Sequence, residues 1–413
     1  MSDQYENEQH HPVEGMLSGP MTRRQALGRA TAAAMGVAGA ALIPPWVAAA
    51  EAGNRRLGLH AAASGGVTST HFKQFPPFNP HVPKGPATGL PKAIASNFGA
   101  GSAYFIGFSN VLKKSASDRG YSYTPTTYGT DVAKNIDQLN QLVIKGIGAL
   151  VAQPQDVAGQ KDTMTNMIVK NGIGIAYEVT GPSTIQIVAD QFAIGYRQGV
   201  AAVAWVKKNL GGKAQAVVFD ASEIAPSLTP RTLGRIAGLK TGGSGIQLVA
   251  KQPIKLLTAD EGSTLSATLL QAHPNIDVWL GDDDSIIGVM STLQAAGKKP
   301  SDPLYLSGVN GQANALNAVK QGTLFRADFA FPNGVYEYAT GQLCCDYIEG
   351  KSVPQLMVID LIEVSSKNVN KFLADDQNPG PAFKRGIKGY MTYLGNISYQ
   401  NRTTNYVINA VGP

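Results

Sequence analysis

From Lys92 onward the chain alternates between two apolar rhythms. Short apolar runs bounded by Gly, Asn or Pro have the length of buried strands, and the segments between them repeat apolar residues at helical spacing. The pattern predicts strands near 92–96, 122–127, 148–153, 173–178, 186–189, 214–219, 247–251, 277–281, 304–308, 325–330 and 357–363. It predicts helices near 103–119, 131–146, 159–171, 190–209, 230–241, 264–273, 284–297, 312–321 and 334–349. The helix from Asp131 is clear: Ile136, Leu139 and Val143 share one face, Lys134, Asp137 and Gln141 lie elsewhere, and Gly146 ends it. Such alternation makes parallel sheets covered by helices on both faces. About eleven strands exceed one comfortable open sheet, and a long helix after Asp190 opens a second series. The expectation is an α/β chain of two doubly wound parallel-sheet lobes with a cleft between them. Ligands in such sheets sit beyond the carboxyl ends of the strands.

The first fifty residues have another character. A polar leader, 1–21, precedes Thr22-Arg23-Arg24-Gln25-Ala26-Leu27-Gly28-Arg29, then an apolar stretch from Ala30 to Val47 and Ala48-Ala49-Ala50. This resembles a twin-arginine export signal, departing from it at Ala26, where Phe is usual. A membrane anchor is the alternative. Gly36, Gly39, Pro44 and Pro45 in a mostly-Ala run make a poor span, which needs ~20 strongly apolar residues. Residues 1–50 are therefore expected to be removed on export to the periplasm. No Cys stands near the cleavage region to carry a lipid. Residues 51–91, rich in Gly, Pro, Ser and Thr, read as an extended arm.

Composition narrows the chemistry. The 413 residues are 43% apolar and only 15% charged, against a usual ~25%, so this is a globular chain with sparse surface charge. Adjacent Cys344 and Cys345 cannot form a disulfide scaffold. The net charge of +6 comes without a Lys/Arg block that could track a phosphate backbone, so no nucleic-acid partner is expected. His10 and His11 lie in the leader, His60, His71 and His81 in the arm, and only His273 in the body. That leaves little for acid–base work or a zinc site. Gly99-Ala100-Gly101-Ser102-Ala103-Tyr104 has Tyr where a dinucleotide fingerprint needs its third Gly. Gly234 to Lys240-Thr241 is one residue short of a phosphate loop, and no nucleophile elbow is present. Neither an enzyme nor a cofactor or metal is expected.

Five stretches in order carry a family resemblance. The run Asn135 to Asp156 (NIDQLNQLVIKGIGALVAQPQD) is a helix ending in Gly, a buried strand and a Pro-containing loop. Tyr104-Phe105 precedes Gly120-Tyr121, and Ala189-Asp190-Gln191 stands where the second series begins. Ala272-His273-Pro274-Asn275-Ile276-Asp277 runs on through Asp282-Asp283 to Gly288, and Gly308-Val309-Asn310-Gly311 follows. Together these resemble the type I periplasmic sugar-binding proteins, the ribose-binding group, over roughly 93–365. The resemblance implies a three-segment hinge, with crossings near Ala189-Asp190, near Asn310-Gly311 or Phe331-Pro332, and near Val358. It divides the chain into a lobe of 92–189 plus 332–357 and a lobe of 190–331 plus 358–365. The arm 51–91 and the extension 366–413 fall outside it.

The same resemblance places ligand contacts. Sugars need aromatic plates for their C–H faces and carboxylate, amide or guanidinium groups for their hydroxyls. Tyr104 and Phe105 match the family's plates, with ordinary helix core as the alternative. Arg231 matches an arginine aimed at ring oxygens, with Arg235 one turn later as the competing choice. Asp282 stands where the family has a ligand-contacting amide and Asp283 where it has a structural aspartate. A carboxylate at 282 favours a hydroxyl-rich neutral or cationic ligand over an anion. The alternatives for this acidic run are helix capping and, lacking a loop of spaced oxygen ligands, a disfavoured divalent cation. Asn310 replaces a family aspartate. Glu178 is the nearest substitute for an Asp-Arg pair, and no amide is found near Ala330-Phe331.

The implied function is that of a periplasmic solute-binding protein. It would act as a monomer, capturing a sugar or polyol and delivering it to an ABC transporter permease. A sensor presenting its ligand to a chemoreceptor or kinase, or a twin-arginine-exported periplasmic enzyme, is the alternative.

Overall fold

The computed structural model describes residues 75–82, 89–99, 103–129, 131–153, 157–177, 182–224 and 228–397, all within one compact unit, 61–413. The export leader 1–50 and most of the arm lie outside the described residues. Thirteen strands and eleven helices follow among those described. The first series is β1 (Ala93–Phe98), α1 (Ala103–Ser117), β2 (Ser122–Thr127), α2 (Val132–Lys145), β3 (Ala149–Ala152), α3 (Val157–Val169), β4 (Gly174–Tyr177) and β5 (Ile185–Val188). The second is α4 (Gln191–Asn209), β6 (Ala214–Asp220), α5 (Thr229–Lys240), β7 (Ile246–Pro253), α6 (Ala259–Ala272), β8 (Ile276–Leu280), α7 (Asp283–Ala295), β9 (Tyr305–Asn310), α8 (Ala313–Lys320) and β10 (Phe325–Ala330). Then come α9 (Asn333–Ile348), β11 (Leu356–Ile359), β12 (Ile362–Val364), α10 (Val369–Gln377), α11 (Pro379–Lys384) and β13 (Met391–Leu394).

These strands build two sheets, one ordered β13-β11-β5-β4-β3-β1-β2 and the other β12-β10-β9-β8-β6-β7. Central strands are buried on both faces and read as unbroken apolar runs: every residue of β3 and β5 is buried. β2 holds Pro125 and has no fully buried residue, as suits an edge strand. The expectation of wholly parallel lobes needs one correction. Each sheet ends in an antiparallel strand, β12 on β10 and β13 on β11. The strand expected over 357–363 is in fact two, because the chain leaves the first sheet after Ile359 and enters the second at Ile362.

Helix ends follow local chemistry. The Asp131 side chain accepts from the Lys134 amide at the start of α2, and Gly146, at φ 77°, closes its end. Asp190 caps α4 in the same way, accepting from the Ala193 amide at 3.0 Å. Helices α4 and α5 pack unusually closely. A methyl group at Gly195 or Gly199 would overlap backbone of α5, and one at Gly234 or Gly238 would overlap backbone of α4. Two glycines four residues apart on each helix let the main chains touch.

The chain passes between the sheets at 188–191, at 330–333 and at 359–362. Beyond β12 the C-terminal segment continues along the molecule. α10 buries Val369 and Phe372 in the core of the second sheet, and β13 adds to the edge of the first.

Candidate functional site

Three of the residues singled out by the sequence meet at the carboxyl ends of the second sheet. Asp282 follows β8, Asn310 ends β9, and Arg231 lies in the first turn of α5 beside β6. Arg231 donates through Nη1 to Asp282 Oδ1 at 2.5 Å and to Asn310 Oδ1 at 3.3 Å, and through Nε to Gln191 Oε1 at 2.8 Å. Its guanidinium also lies over the Phe331 ring, 6.0 Å from the centroid. Arg235, one turn on along the same face of α5, reaches the same carboxylate at 3.2 Å. Its other donors go to the carbonyls of Phe219 and Gly281 and to Gln198 Oε1. Both arginines are buried; Arg231 bonds mainly side chains, whereas Arg235 is also held by main-chain carbonyls. The close packing of α4 and α5 is what brings Gln191 and Gln198 within reach of the two arginines.

Asp282 occupies the N-cap position of α7, but its side chain makes no cap hydrogen bond. It serves the arginines instead. Burial alone would raise its carboxyl, yet Arg235 and Arg231 hold it below the ordinary value. Burial lowers the Arg235 guanidinium despite that neighbour. Asp282 is 2% exposed, and its Oδ2 has no donor among the described residues. A buried acceptor with nothing to accept is costly, and it marks where a donor would be welcome.

Asp283 and Asp284 play separate parts. Asp284 accepts from Gln312 Nε2 and Asn314 Nδ2. Asp283 takes the Gln312 amide at 2.8 Å on Oδ2, while Oδ1 rests against Gly308. The register sets Asp328 of β10 beside that same Gly308. Both carboxyls are fully buried, and no well-aligned donor reaches Asp283 Oδ1 or either oxygen of Asp328. Burial, and for Asp283 the nearby Asp328, pushes both upward, Asp328 to about 7. One proton held between the two carboxyls relieves both. Gln312 directly follows the Asn310-Gly311 turn, where Asn310 is held at φ 135°, outside the ordinary range for a side-chain-bearing residue.

A second knot fixes the start of α5. Asp220, at the end of β6, accepts from the Ser222 amide, the Thr232 hydroxyl and the Lys251 ammonium, at 3.1, 2.9 and 2.5 Å. Burial would raise its carboxyl, but those donors lower it.

The aromatic residues belong to the first sheet. Tyr104 and Phe105 open α1, both half-buried. Phe105 stacks on Phe98 with centroids 5.1 Å apart, Tyr104 meets Phe105 edge-on, and the Tyr104 hydroxyl bonds that of Tyr336. Below them the Asn97 amide is fixed by Thr126 Oγ1 and Gln138 Oε1. The structure thus brings Arg231, Asp282 and Asn310 together and sets Tyr104 and Phe105 in the other lobe. Phe331, at the second crossing, links them: it lies under Arg231 and packs with the first lobe's core. Glu178 lies outside the described residues. Sequence reasoning missed Gln191, Gln198, Asp220, Asp328 and Phe331. The one available signal was helical spacing, which puts Gln191 and Gln198 two turns apart on a single face of α4.

Comparison with known proteins agrees with this architecture. The ribose import binding protein of Bacillus subtilis is 23% identical over 261 residues, 60% of this chain and 79% of that protein. Among solved structures, a periplasmic ribose ABC transporter protein of Conexibacter woesei superposes with a TM-score of 0.58 at 20% identity, covering 73% of this chain and 98% of that one. A periplasmic solute-binding protein of Actinobacillus succinogenes with bound D-allose gives a TM-score of 0.58 at 17% identity, covering 68% and 99%. The match to the periplasmic binding protein domain spans residues 94–352, more than half of the chain, and the chain belongs to that family.

Proposed function

We propose that this protein captures a sugar or polyol between its lobes and delivers it to an ABC importer. The observation that carries the reading is Asp282 Oδ2, a buried acceptor without a donor, set beside Arg231 and Asn310 at the strand ends. A ligand hydroxyl is the donor that fits. Its O–H donates a hydrogen bond to Oδ2, and its oxygen accepts one from the Asn310 amide nitrogen, whose Oδ1 already faces Arg231. A hydroxyl can donate to the carboxylate and accept from the guanidinium or the amide, so a neutral, hydroxyl-rich guest answers every member of the group. Tyr104 and Phe105 supply the apolar plates from the opposite lobe, and Glu178 completes the polar set. Relatives named for ribose and solved with D-allose support a neutral sugar ring.

Capture works through the crossings. A guest that touches both lobes adds contacts present only when they are closed, and shifts the open–closed population accordingly. The permease then reads the closed surface. The leader 1–50 directs twin-arginine export to the periplasm, and no helix among the described residues is long and apolar enough to cross a membrane. Binding without turnover is the activity.

A thermal-shift screen with D-ribose, D-allose and myo-inositol tests this. Solute at about a hundred times its dissociation constant stabilises by about 2.7 kcal/mol. At least one such solute is expected to raise the melting temperature of the wild type but not of Arg231→Ala. Unchanged melting across a broad set of sugars and polyols would overturn the reading.

A further inference from the structure

Two segments lie outside the family match, and the structure joins them. Residues 75–79 run beside β13: Pro77 bridges to Leu394, the Phe78 amide donates to the Tyr393 carbonyl, and Asn79 and Asn396 exchange hydrogen bonds. The arm therefore clasps the last strand of the tail. What the pair touches is specific, for it contacts all three crossings between the lobes.

Beside the first crossing Phe75 packs against the cluster formed by Val188, Leu356 and Val358. At the second, Asp376 at the end of α10 accepts from the Gly334 amide at 2.6 Å, and its carbonyl lies so close to Gly334 that a methyl group there would overlap it. At the third, the pairing of β13 with β11 continues one step further, and the Asp360 amide donates to the Tyr390 carbonyl at 3.0 Å. Between these points the tail makes a fourth passage. α10 is rooted in the second lobe through Val369 and Phe372, whereas Phe383 of α11 packs against Tyr338 of α9 in the first. Asp375 ties the passage together, bound by Lys371, Arg385 and Tyr390.

We infer that the arm and tail form a brace around the hinge that limits how far the lobes open. This rests on the reading that the lobes rotate. Rotation must change backbone angles at the three crossings, and each is packed or hydrogen-bonded to a segment that has its own footing. The α10–α11 junction at Gln377-Asn378-Pro379 must flex as well. Opening is therefore opposed by the Asp376–Gly334 contact, the Tyr390–Asp360 bond and the Phe75 plug together.

Spin labels at Asn110→Cys on α1 and Lys255→Cys after β7 report the separation of the lobes, since Cys344 and Cys345 are buried and do not label. Pulsed distance measurements on the solute-free protein compare the parent with Asp376→Ala and with Phe75→Ala. Both variants are expected to shift the distribution to longer distances and broaden it, and Asp376→Asn, which keeps an acceptor oxygen, is expected to restore it. Distributions that superimpose on the parent in folded variants overturn the brace. Should Asp376→Ala fail to fold, Phe75→Ala decides alone. A parent distribution that no sugar or polyol alters would count against the solute-binding reading, while the comparison of solute-free variants still judges the brace.

Discussion

At the scale of single residues, Asp282 carries two duties that a capping role would not give it. Its Oδ1 pairs with Arg231 and Arg235, both buried, and its Oδ2 has no donor among the described residues. Truncation to Ala removes the carboxylate that pairs directly with both guanidiniums, and breaking a buried pair in this way costs about 3–5 kcal/mol. Asp282→Ala is therefore expected to lose solute binding and stability together, as urea denaturation will show. A stable variant that merely fails to bind would mean the arginines find another partner. The Asp283–Asp328 pair gives a second, independent expectation. The folded chain holds the Asp328 proton up to about 7, while an ordinary carboxyl releases it near 3.8. That stabilisation is fully present below 3.8 and is lost as pH rises through about 7, with a slope of up to about 1.4 kcal/mol per pH unit for one proton. Asp328→Asn keeps a donor for Asp283 without a proton to lose, so its stability should be flatter between about pH 4 and 7. Asp375 and Glu349, both lowered to about 2, lose their contributions as pH falls from their ordinary values of 3.8 and 4.5 toward 2, so only Glu349 touches the acidic edge of this window. A wild type that gains stability relative to Asp328→Asn on raising the pH would contradict the shared proton.

At the scale of elements, the site depends on the contact between α4 and α5. Gly195, Gly199, Gly234 and Gly238 let the two backbones touch, and that contact sets the depth of Arg231 and Arg235 against Gln191 and Gln198. Gly234→Ala pushes a methyl into the Phe192 carbonyl, and overpacking of this kind costs about 1–3 kcal/mol. It should lower the melting temperature and weaken solute binding together, because Arg231 moves with its helix. Loss of stability with unchanged affinity would show that Arg231 is placed by Asp220 and Asp282 alone. The sequence showed the strand–helix alternation from 92 to 349 because buried parallel strands and amphipathic helices leave strong periods. It did not show the α4–α5 contact, since four glycines read as weak helix formers until two helices are seen to meet. Arg231 and Arg235 stayed rival choices because helical spacing puts both on one face. Both reach Asp282, and what separates them is their other partners, Asn310 and Phe331 for Arg231 and main-chain carbonyls for Arg235. The tail was illegible for another reason: α10 and α11 are short, and what orders them is the surface they lie on.

At the scale of the whole molecule, the polar group and the aromatic group lie on different sheets, so neither can enclose a guest alone. In the proposed capture, the second lobe offers directional hydrogen bonds through Arg231, Asp282 and Asn310, and the first offers the flat, half-buried ring of Phe105, which stacks on Phe98. Contacts to both lobes at once exist only in the closed state, so weakening one set reduces affinity and closure by the same free energy. Removing the Phe105 ring forfeits an aromatic contact of about 0.5–1.5 kcal/mol beyond its buried area. With the area included, affinity should fall on the order of tenfold, since about 1.4 kcal/mol is a factor of ten. Small-angle scattering at a fixed subsaturating solute concentration should then show less compaction for Phe105→Ala than for the wild type. At saturation the two should compact equally, because the hinge itself is untouched. A variant that binds as tightly as the wild type would assign Phe105 to the Phe98 stack alone, and the plates would have to be sought elsewhere in the first lobe.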